Sequence, residues 1–444
     1  MLANKTNALA VLGLLAAAST ASGQGLGNSP YSRLGLGDVN MNTGGVRQQG
    51  MGGVGVWAPN TAQVNELNPA LLYYTNRTTF EMAAVGQLKR LRSGSLSQVD
   101  GGATLSYLAF AVPVSRRWGL AAGIKPYSIV DYTSSVVGKV AGDPTAQVLQ
   151  EYRGTGGLSE VYLAHGVRVA KGLTLGLSTS YVFGAIDQSS SALVATDQVL
   201  DSQTLSRSVV TEQLEYSDFT GRAGLHYRHE LSSKLNANLG AVYTLQTKLG
   251  GSRQRQAERQ SLNGATIELM MLDTDARGEA IVPSNLQLGF GLDNGKNWSV
   301  GADVARQQWS KFEAFRVAGD SRPAAIYQDT WRAAVGTEIT PDPGSVQSYF
   351  QRVVYRFGLS MGQLPYRPGG QTQYDRAVSW GFMLPIPSAS ALDAASVNLG
   401  FTYGRRGADD VLTGSTGRSI QEDYMRVQLG FSLNNRWFLK RKIE

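Results

Sequence analysis

The side chains that most often bind metals or catalyse reactions are few in this chain. Its 444 residues include three histidines and no cysteine. His226 and His229 are three residues apart on a predicted strand, where such positions point to opposite faces and cannot share a metal ion. Asp273 and Asp275 begin like a calcium loop, but Arg277 stands where the next ligand is needed. We therefore predict no metal site and no cofactor.

The sequence also gives no support for nucleophilic catalysis or for a nucleotide-binding site. The absence of cysteine excludes disulfides, thiolate metal sites and a lipoprotein anchor. No Ser/His/Asp constellation has local support, so the sequence predicts a protein that is not an enzyme and has no catalytic residues. Residues 50–55 (GMGGVG) match the glycine pattern of dinucleotide sites, but no strand precedes them and Pro59 follows where the helix should run. These glycines indicate close packing instead.

The composition is that of a chain with both polar and lipid-facing surfaces. Charged residues make up 17% of the chain, below the roughly 25% of a soluble domain. Its 52 glycines and 19 tyrosines, with a mean hydropathy of −0.17, suit a transmembrane barrel with a polar lumen. The net charge of +7 is spread along the chain. It fits basic turns beside an anionic envelope, and we predict no nucleic-acid partner.

The N-terminus predicts export. Residues 1–23 read as a signal peptide, with Lys5 before an apolar run at 8–18 and small residues before Gln24. The alternative, a membrane anchor, needs roughly 20 apolar residues, and this run is shorter. No later stretch is long and apolar enough for a transmembrane helix. The exported chain is therefore either soluble or a β-barrel, and a barrel would lie in the outer membrane of a Gram-negative envelope.

The stretch 283–306, and the repetition of its pattern along the chain, favour the β-barrel over a soluble protein. Apolar residues alternate with small or polar ones on both sides of the Asp293–Lys296 turn, which is a β-hairpin pattern. The same pattern recurs to the end of the chain and gives fourteen predicted strands between 79 and 434. Many reach ten residues, the length of a tilted membrane span. We predict an all-β, 14-stranded antiparallel transmembrane barrel at 79–434, followed by a basic tail at 435–444.

The predicted connections alternate between short and long, as in outer-membrane barrels with tight periplasmic turns and long outer loops. The long ones are 88–100, 132–158, 187–207, 251–282, 308–327, 363–375 and 407–421. Tryptophans near the ends of predicted strands favour aromatic girdles at the two membrane interfaces over scattered core positions. They are Trp118, Trp298, Trp309, Trp331 and Trp380.

Residues 24–78 lack strand alternation and are rich in glycine and asparagine. Their composition predicts a compact segment packed against or inside something larger. We interpret 24–78 as an N-terminal plug, or hatch, that fills part of the barrel.

The whole layout resembles the FadL/TodX family of outer-membrane channels for fatty acids and aromatic hydrocarbons. The resemblance rests on fourteen strands, on a glycine-rich stretch at Gly52 and Gly53, on the 65–70 stretch with Asn65 and an Asn68-Pro69-Ala70 motif, and on a W…D…WSxF pattern at 298–312. The family's Asp-Ala-Ser before that motif is absent here. The segments YSRLGLGD, YGRRG and RWFLKRKIE are similar to barrel proteins of Bacteroidetes-type bacteria.

The resemblance also implies a lateral opening. In FadL-type channels a kink in the third strand lets hydrophobic cargo leave sideways into the membrane. Pro126 interrupts the third predicted strand, and a proline cannot donate to the ladder of a closed barrel. Gly123 makes a bend there easy, and Tyr127 follows the proline. An ordinary bulge is the alternative interpretation of this sequence.

Two functions follow from the sequence. The first is passive uptake of small hydrophobic molecules by a monomeric barrel in outer-membrane lipid. The second is a non-transporting, FadL-like accessory barrel for a surface-protein secretion machine, with secretion or surface proteins as partners. A continuous apolar tunnel favours uptake, and a polar lumen or a large co-purifying partner favours the accessory role.

Overall fold

The protein is a closed β-barrel that surrounds part of its own N-terminal region. The computed structural model describes residues 25–39, 44–140, 143–195, 206–317, 319, 327–387, 394–410 and 419–435. The predicted signal peptide and nearly all of the basic tail lie outside these residues. No helix among the described residues is long and apolar enough to cross a membrane.

Fourteen antiparallel spans form the wall, which confirms the predicted fold. They are β1 (Thr78–Ser93), β2 (Leu96–Ser115), β3 (Trp118–Val140), β4 (Asp143–Ala170), β5 (Leu173–Ala195), β6 (Ser206–Ser232), β7 (Leu235–Thr244 with Thr247–Ser261), β8 (Thr266–Val282 with Asn285–Asp293), β9 (Trp298–Gln307), β10 (Thr330–Ile339), β11 (Val354–Gln363), β12 (Tyr374–Ile386), β13 (Ala394–Arg406) and β14 (Gln421–Asn435). The last span pairs with the first along its whole length, which closes the barrel.

The wall follows the alternation that predicted it. In β8, Leu286, Leu288 and Phe290 are 43–52% exposed on the outside, whereas Asn285 and Gln287 face inward and are at most 5% exposed. Apolar side chains therefore face lipid and polar ones face the lumen, as in other outer-membrane barrels. β8 and β9 pair in continuous register, so the predicted hairpin at 283–306 is present.

Four of the predicted long loops are mainly strand, which corrects the prediction. The described residues of the stretches 88–100, 132–158, 187–207 and 251–282 lie mostly in strands β1 to β8. Their serines, threonines and arginines carry no apolar alternation because these parts of the strands lie beyond the lipid-facing band. We call the end of the barrel with these extensions the long-hairpin end, and the opposite one the short-turn end.

The tryptophans predicted for an aromatic girdle do not all lie in equivalent places. Trp118, Trp298 and Trp331 lie at the ends of strands and are 36–39% exposed on the outer surface. Trp380 also faces outward but lies in the middle of β12, stacked on Phe401. Trp309 follows β9 and packs against an apolar cluster inside the barrel. Its place in a girdle was wrong, because the chain turns inward after β9 and forms a short 3₁₀ turn there.

Residues 44–77 lie inside the barrel. They contain a five-residue helix, Val46–Gly50, and a 3₁₀ helix, Pro69–Tyr74. This segment touches strands on every side: Leu72 lies against β3, Val56 against β7, Met51 against β11 and Val46 against β14. Such contacts with opposite parts of a closed wall are possible only from within the lumen. We call residues 44–77 the plug segment.

Candidate functional site

The first half of the plug segment turns sharply at two glycines. The Gly53 amide donates to the Gln48 carbonyl and closes the end of the short helix. Gly52 and Gly53 have φ values of +73° and +79°, a left-handed conformation that glycine adopts without strain. The Gly52 carbonyl accepts a hydrogen bond from Arg332 of β10. The turn thus directs plug backbone onto the wall.

The second half is ordered by the two asparagines that the sequence singled out. The Asn65 side-chain oxygen accepts from the amides of Leu67 and Asn68, at 2.9 and 3.0 Å. Asn68 is fully buried; its amide nitrogen donates to the carbonyl of Val56 in the plug and of Leu225 in β6. Pro69 then begins the 3₁₀ helix, where its missing N–H costs nothing. Asn68 therefore ties the plug both to itself and to the wall.

Buried charges hold the plug to β10 and β11. Glu338 accepts two hydrogen bonds of 3.1 Å from Arg47 of the plug and one of 2.8 Å from Arg356 of β11. The two arginine side chains are 3% and 1% exposed, so this is an ion pair shielded from water. Arg356 also donates to Gln63 of the plug, which donates in turn to Asn398.

Two further carboxylates join plug and wall, one on β9 beside β10 and one in the plug itself. Asp303 of β9 accepts from the amides of Gly55 and Val56, at 2.7 and 3.0 Å. Glu66 of the plug accepts a 2.8 Å hydrogen bond from Tyr162 of β4 and pairs with Lys125 at 3.4 Å. The plug is therefore attached to β9, β10 and β11 and, on the far side of the barrel, to β3 and β4.

A series of glycines on the inner wall makes room for the plug. A Cβ atom added at any of them would overlap plug atoms or crowd them closely. Eight of these positions are neighbours in the ladders and form two tracts that each cross four strands. The full series is Gly119, Gly166, Gly176, Gly224, Gly240, Gly291, Gly301, Gly336, Gly358 and Gly430.

β2 and β3 separate at the proline that the sequence marked. Their pairing runs from Ser115↔Trp118 only to Leu108↔Ile124 and stops two residues before Pro126. β3 remains paired with β4 along its whole length. A register shift at Pro126 leaves Tyr127 without a partner in that ladder. Gly123 lies at the last paired positions, where a side chain would strike Leu108 and Tyr162. Tyr127 packs in the interior cluster. We call this gap the β2–β3 seam.

The protein's own N-terminal strap, residues 25–39, bridges the seam. The Asn28 amide donates to Asp100 of β2, and the Asn28 side chain exchanges two 3.0 Å hydrogen bonds with the backbone of Thr133 in β3. Asp38 and Val39 pair with Ile129 and Ser128 of β3 as a two-residue strand.

The strap is anchored to the far wall as well. Ser29 donates to Glu422 of β14 at 2.7 Å, and Asp38 pairs with Arg406 of β13 at 2.7 Å. Tyr31 stacks on Tyr366 at 5.4 Å, and burial raises the pKa of the Tyr31 phenol, which stays neutral at physiological pH.

A cavity of about 300 Å³ lies between strap, plug and wall. Near the seam it is lined by Leu105, Pro126 and Ile129. The lining also includes seven charged residues: Asp38, Lys89, Asp131, Arg332, Asp375, Arg406 and Arg426. On the opposite side the lumen is filled by an apolar cluster built around Leu158, Ile186 and Leu249. The cavity thus has a mixed lining, in which these charges alternate with apolar and aromatic side chains such as Val85, Trp309 and Leu364.

The residues weighed for metal binding serve packing and ion pairs. His226 is fully buried and lies 3.3 Å from the Tyr74 hydroxyl and 3.2 Å from the Asn238 oxygen, whereas His229 is exposed. Asp273 pairs with Arg253 at 2.8 Å. Within the described part of the chain, no three His, Asp or Glu side chains converge as metal ligands.

The comparisons with known proteins are consistent with this architecture. A family model described as BamG matches residues 5–444. No curated protein matches the sequence. Among solved structures, a Pseudomonas aeruginosa FadL homologue is 14% identical with a TM-score of 0.56, covering 91% of this chain and 100% of that one.

Two toluene transporters are similar to the same degree. For Pseudomonas putida TodX the identity is 17% and the TM-score 0.55, with 91% of this chain and 100% of that one covered. For Ralstonia pickettii TbuX the values are 16% and 0.54, with 89% and 100% covered. At these identities the likeness concerns the fold: a 14-stranded outer-membrane barrel of the FadL/TodX type.

Proposed function

The chain belongs to the BamG family, and from that membership and the state of its lumen we propose that it is a non-transporting accessory barrel of a surface-protein secretion machine. The observation that carries this proposal is the plug, which is fixed to opposite walls by buried polar contacts. Glu338 and Asp303 hold it from the neighbouring strands β10 and β9, and Glu66 ties it to β3 and β4 on the opposite wall. A plug held in this way is better suited to a rigid scaffold than to a hatch that opens for cargo.

The chemistry of the remaining cavity supports the same proposal. A hydrophobic solute that entered from the seam would meet seven charged residues around a cavity of about 300 Å³. Moving charged groups out of water against an apolar solute costs several kcal/mol per ion. The cavity therefore offers an apolar cargo less binding free energy than a pocket lined by apolar residues alone.

The test is purification of the tagged protein from its own membrane in mild detergent. We expect a stoichiometric outer-membrane or surface partner, and we expect loss of the barrel to reduce the surface display of other proteins. Mass spectrometry of the same sample should find no retained hydrophobic ligand. A partner-free monomer that carries fatty acid or hydrocarbon would contradict the accessory role and support uptake.

The β2–β3 seam favours uptake of small hydrophobic molecules as a second candidate. Where the cavity meets the seam its lining is apolar, at Leu105, Pro126 and Ile129. If cargo leaves there, the gap must stay open to the membrane.

Replacing Pro126 with valine adds an N–H group beside the seam, and a restored ladder hydrogen bond contributes about 0.5–1.5 kcal/mol. Under the uptake hypothesis, uptake of a hydrophobic substrate should fall while assembly is kept. Pro113→Val, made near the short-turn end of β2 where β2 and β3 stay paired on both sides of a register shift, is the matched control. Equal uptake in both well-folded variants would remove lateral exit through the seam.

A further inference from the structure

The outer part of β8 forms an open sheet edge at the long-hairpin end. Its residues Thr266–Val282 pair with β7 on one side. On the other side, the short strand Glu313–Val317 pairs with β8 only from Gly278 to Ile281. Among the described residues nothing pairs with the second side of Thr266–Arg277. An open edge presents a row of backbone donors and acceptors that can accept another strand.

The segment Ile267–Leu272 of this edge is unusually apolar for an exposed strand. Its large apolar side chains are all 44–57% exposed, and alternation places them on both faces. They are Ile267, Leu269, Met270, Met271 and Leu272. Proteins commonly protect open edges with charges or prolines. This segment has no proline and one charged residue, Glu268.

Contact with lipid does not explain why these exposed side chains are apolar. The lipid-facing part of β8 is Asn285–Asp293, and Leu272 lies ten residues before Val282. At a rise of about 3.3 Å per residue, that is roughly 33 Å further along the strand. The paired strand β7 is rich in arginine and glutamine there, as expected for a sheet in water.

We propose that Ile267–Leu272 is a docking edge that accepts an extended, weakly charged, apolar segment of another protein as an added β-strand. The charges around the edge are already paired: Glu268 with Arg259 at 3.6 Å, and Asp273 with Arg253 at 2.8 Å. Recognition therefore rests on backbone hydrogen bonds and apolar side chains, which is the usual mode of strand addition.

A second copy of the same chain fits this edge poorly. Two copies in one membrane are related by an axis along the membrane normal, so their β8 strands would meet in parallel orientation. Such an axis places identical backbone groups of the two strands opposite each other at the same height, so that each N–H group would face another N–H group. A parallel ladder requires donors opposite acceptors. A different protein is therefore the occupant. This inference deepens the proposed accessory function by assigning the surface that holds the partner.

The test is photo-cross-linking in living cells from a benzoylphenylalanine placed at Met270. We expect one adduct to another protein, mapped to an apolar segment without prolines. Leu269→Lys with Met271→Lys should lower its yield by roughly tenfold, as for loss of an interface hot spot. Leu262→Lys, at a 47% exposed residue of the adjoining turn, should leave the yield unchanged.

Several results would overturn the docking edge. They are the absence of an adduct, an adduct to lipid, to this chain or to a second copy, and an adduct that survives the double lysine variant. The proposed function is tested separately by the stoichiometric partner. If that partner still purifies with the double lysine variant, the accessory role stands and the docking edge does not.

Discussion

Glu338→Gln is expected to destabilise the plugged barrel by about 3–5 kcal/mol, the usual cost of removing one partner from a buried ion pair. The carboxylate holds two guanidinium groups, those of Arg47 and Arg356, which are almost fully buried. Glutamine keeps the size of the side chain but leaves two positive charges without compensation. Because Arg47 belongs to the plug, the plug should detach from β10 and β11 first. Urea unfolding in detergent and the heat-modifiable gel shift measure the loss.

The same variant should also raise the leak of small polar solutes in reconstituted vesicles. Glu279→Gln is its matched control, since Glu279 pairs with Lys248 at 3.3 Å while both side chains are 44–65% exposed. Exposed pairs contribute about 0–1 kcal/mol, so this control should behave like the parent protein. If Glu338→Gln is as stable and as tight as Glu279→Gln, the buried pair does not hold the plug.

The sequence could predict the lipid-facing part of the fold because that part obeys a simple rule. A strand between lipid and a polar lumen must alternate, and the segment 285–293 does so without exception. The extensions at 132–158 and 251–282 escaped prediction for the opposite reason. Water on the outside removes the need for apolar residues, so the local pattern is that of a loop. Pairing with a neighbouring strand, which local sequence does not encode, makes them strands.

The site was predictable only where a single residue carries a backbone constraint. Pro126 marked the seam because a proline cannot donate to a ladder, and Asn68-Pro69 marked a turn of the plug. The strap was missed, since its partners Asp100 and Thr133 are 72 and 105 residues away from Asn28. The wall glycines did carry a signal, because they recur within the apolar alternation of strand after strand. Their common role required knowing that all of them face one enclosed segment.

Gly358→Ala is expected to open the barrel without removing any polar contact. Gly358 of β11 faces the plug turn, and a Cβ atom there would overlap the Met51 carbonyl and the Gly52 nitrogen. The obstacle is backbone, so no side chain can rotate away. The turn has little freedom to shift, since Gly52 is already hydrogen-bonded to Arg332. Overpacking of this kind costs about 1–3 kcal/mol.

Vesicle swelling with small sugars and the heat-modifiable shift measure the effect of Gly358→Ala. Gly86→Ala is the matched control, because Gly86 also lies within a strand but the nearest atoms to an added Cβ are 3.9 and 4.0 Å away. Alanine replaces glycine in a strand in both variants, so intrinsic strand propensity cancels between them. The two variants therefore differ in whether the added Cβ atom contacts the plug. Equal stability and equal leak in the two variants would mean that the plug can move away from β11 at no cost, and that close packing against the wall glycines does not hold it in place.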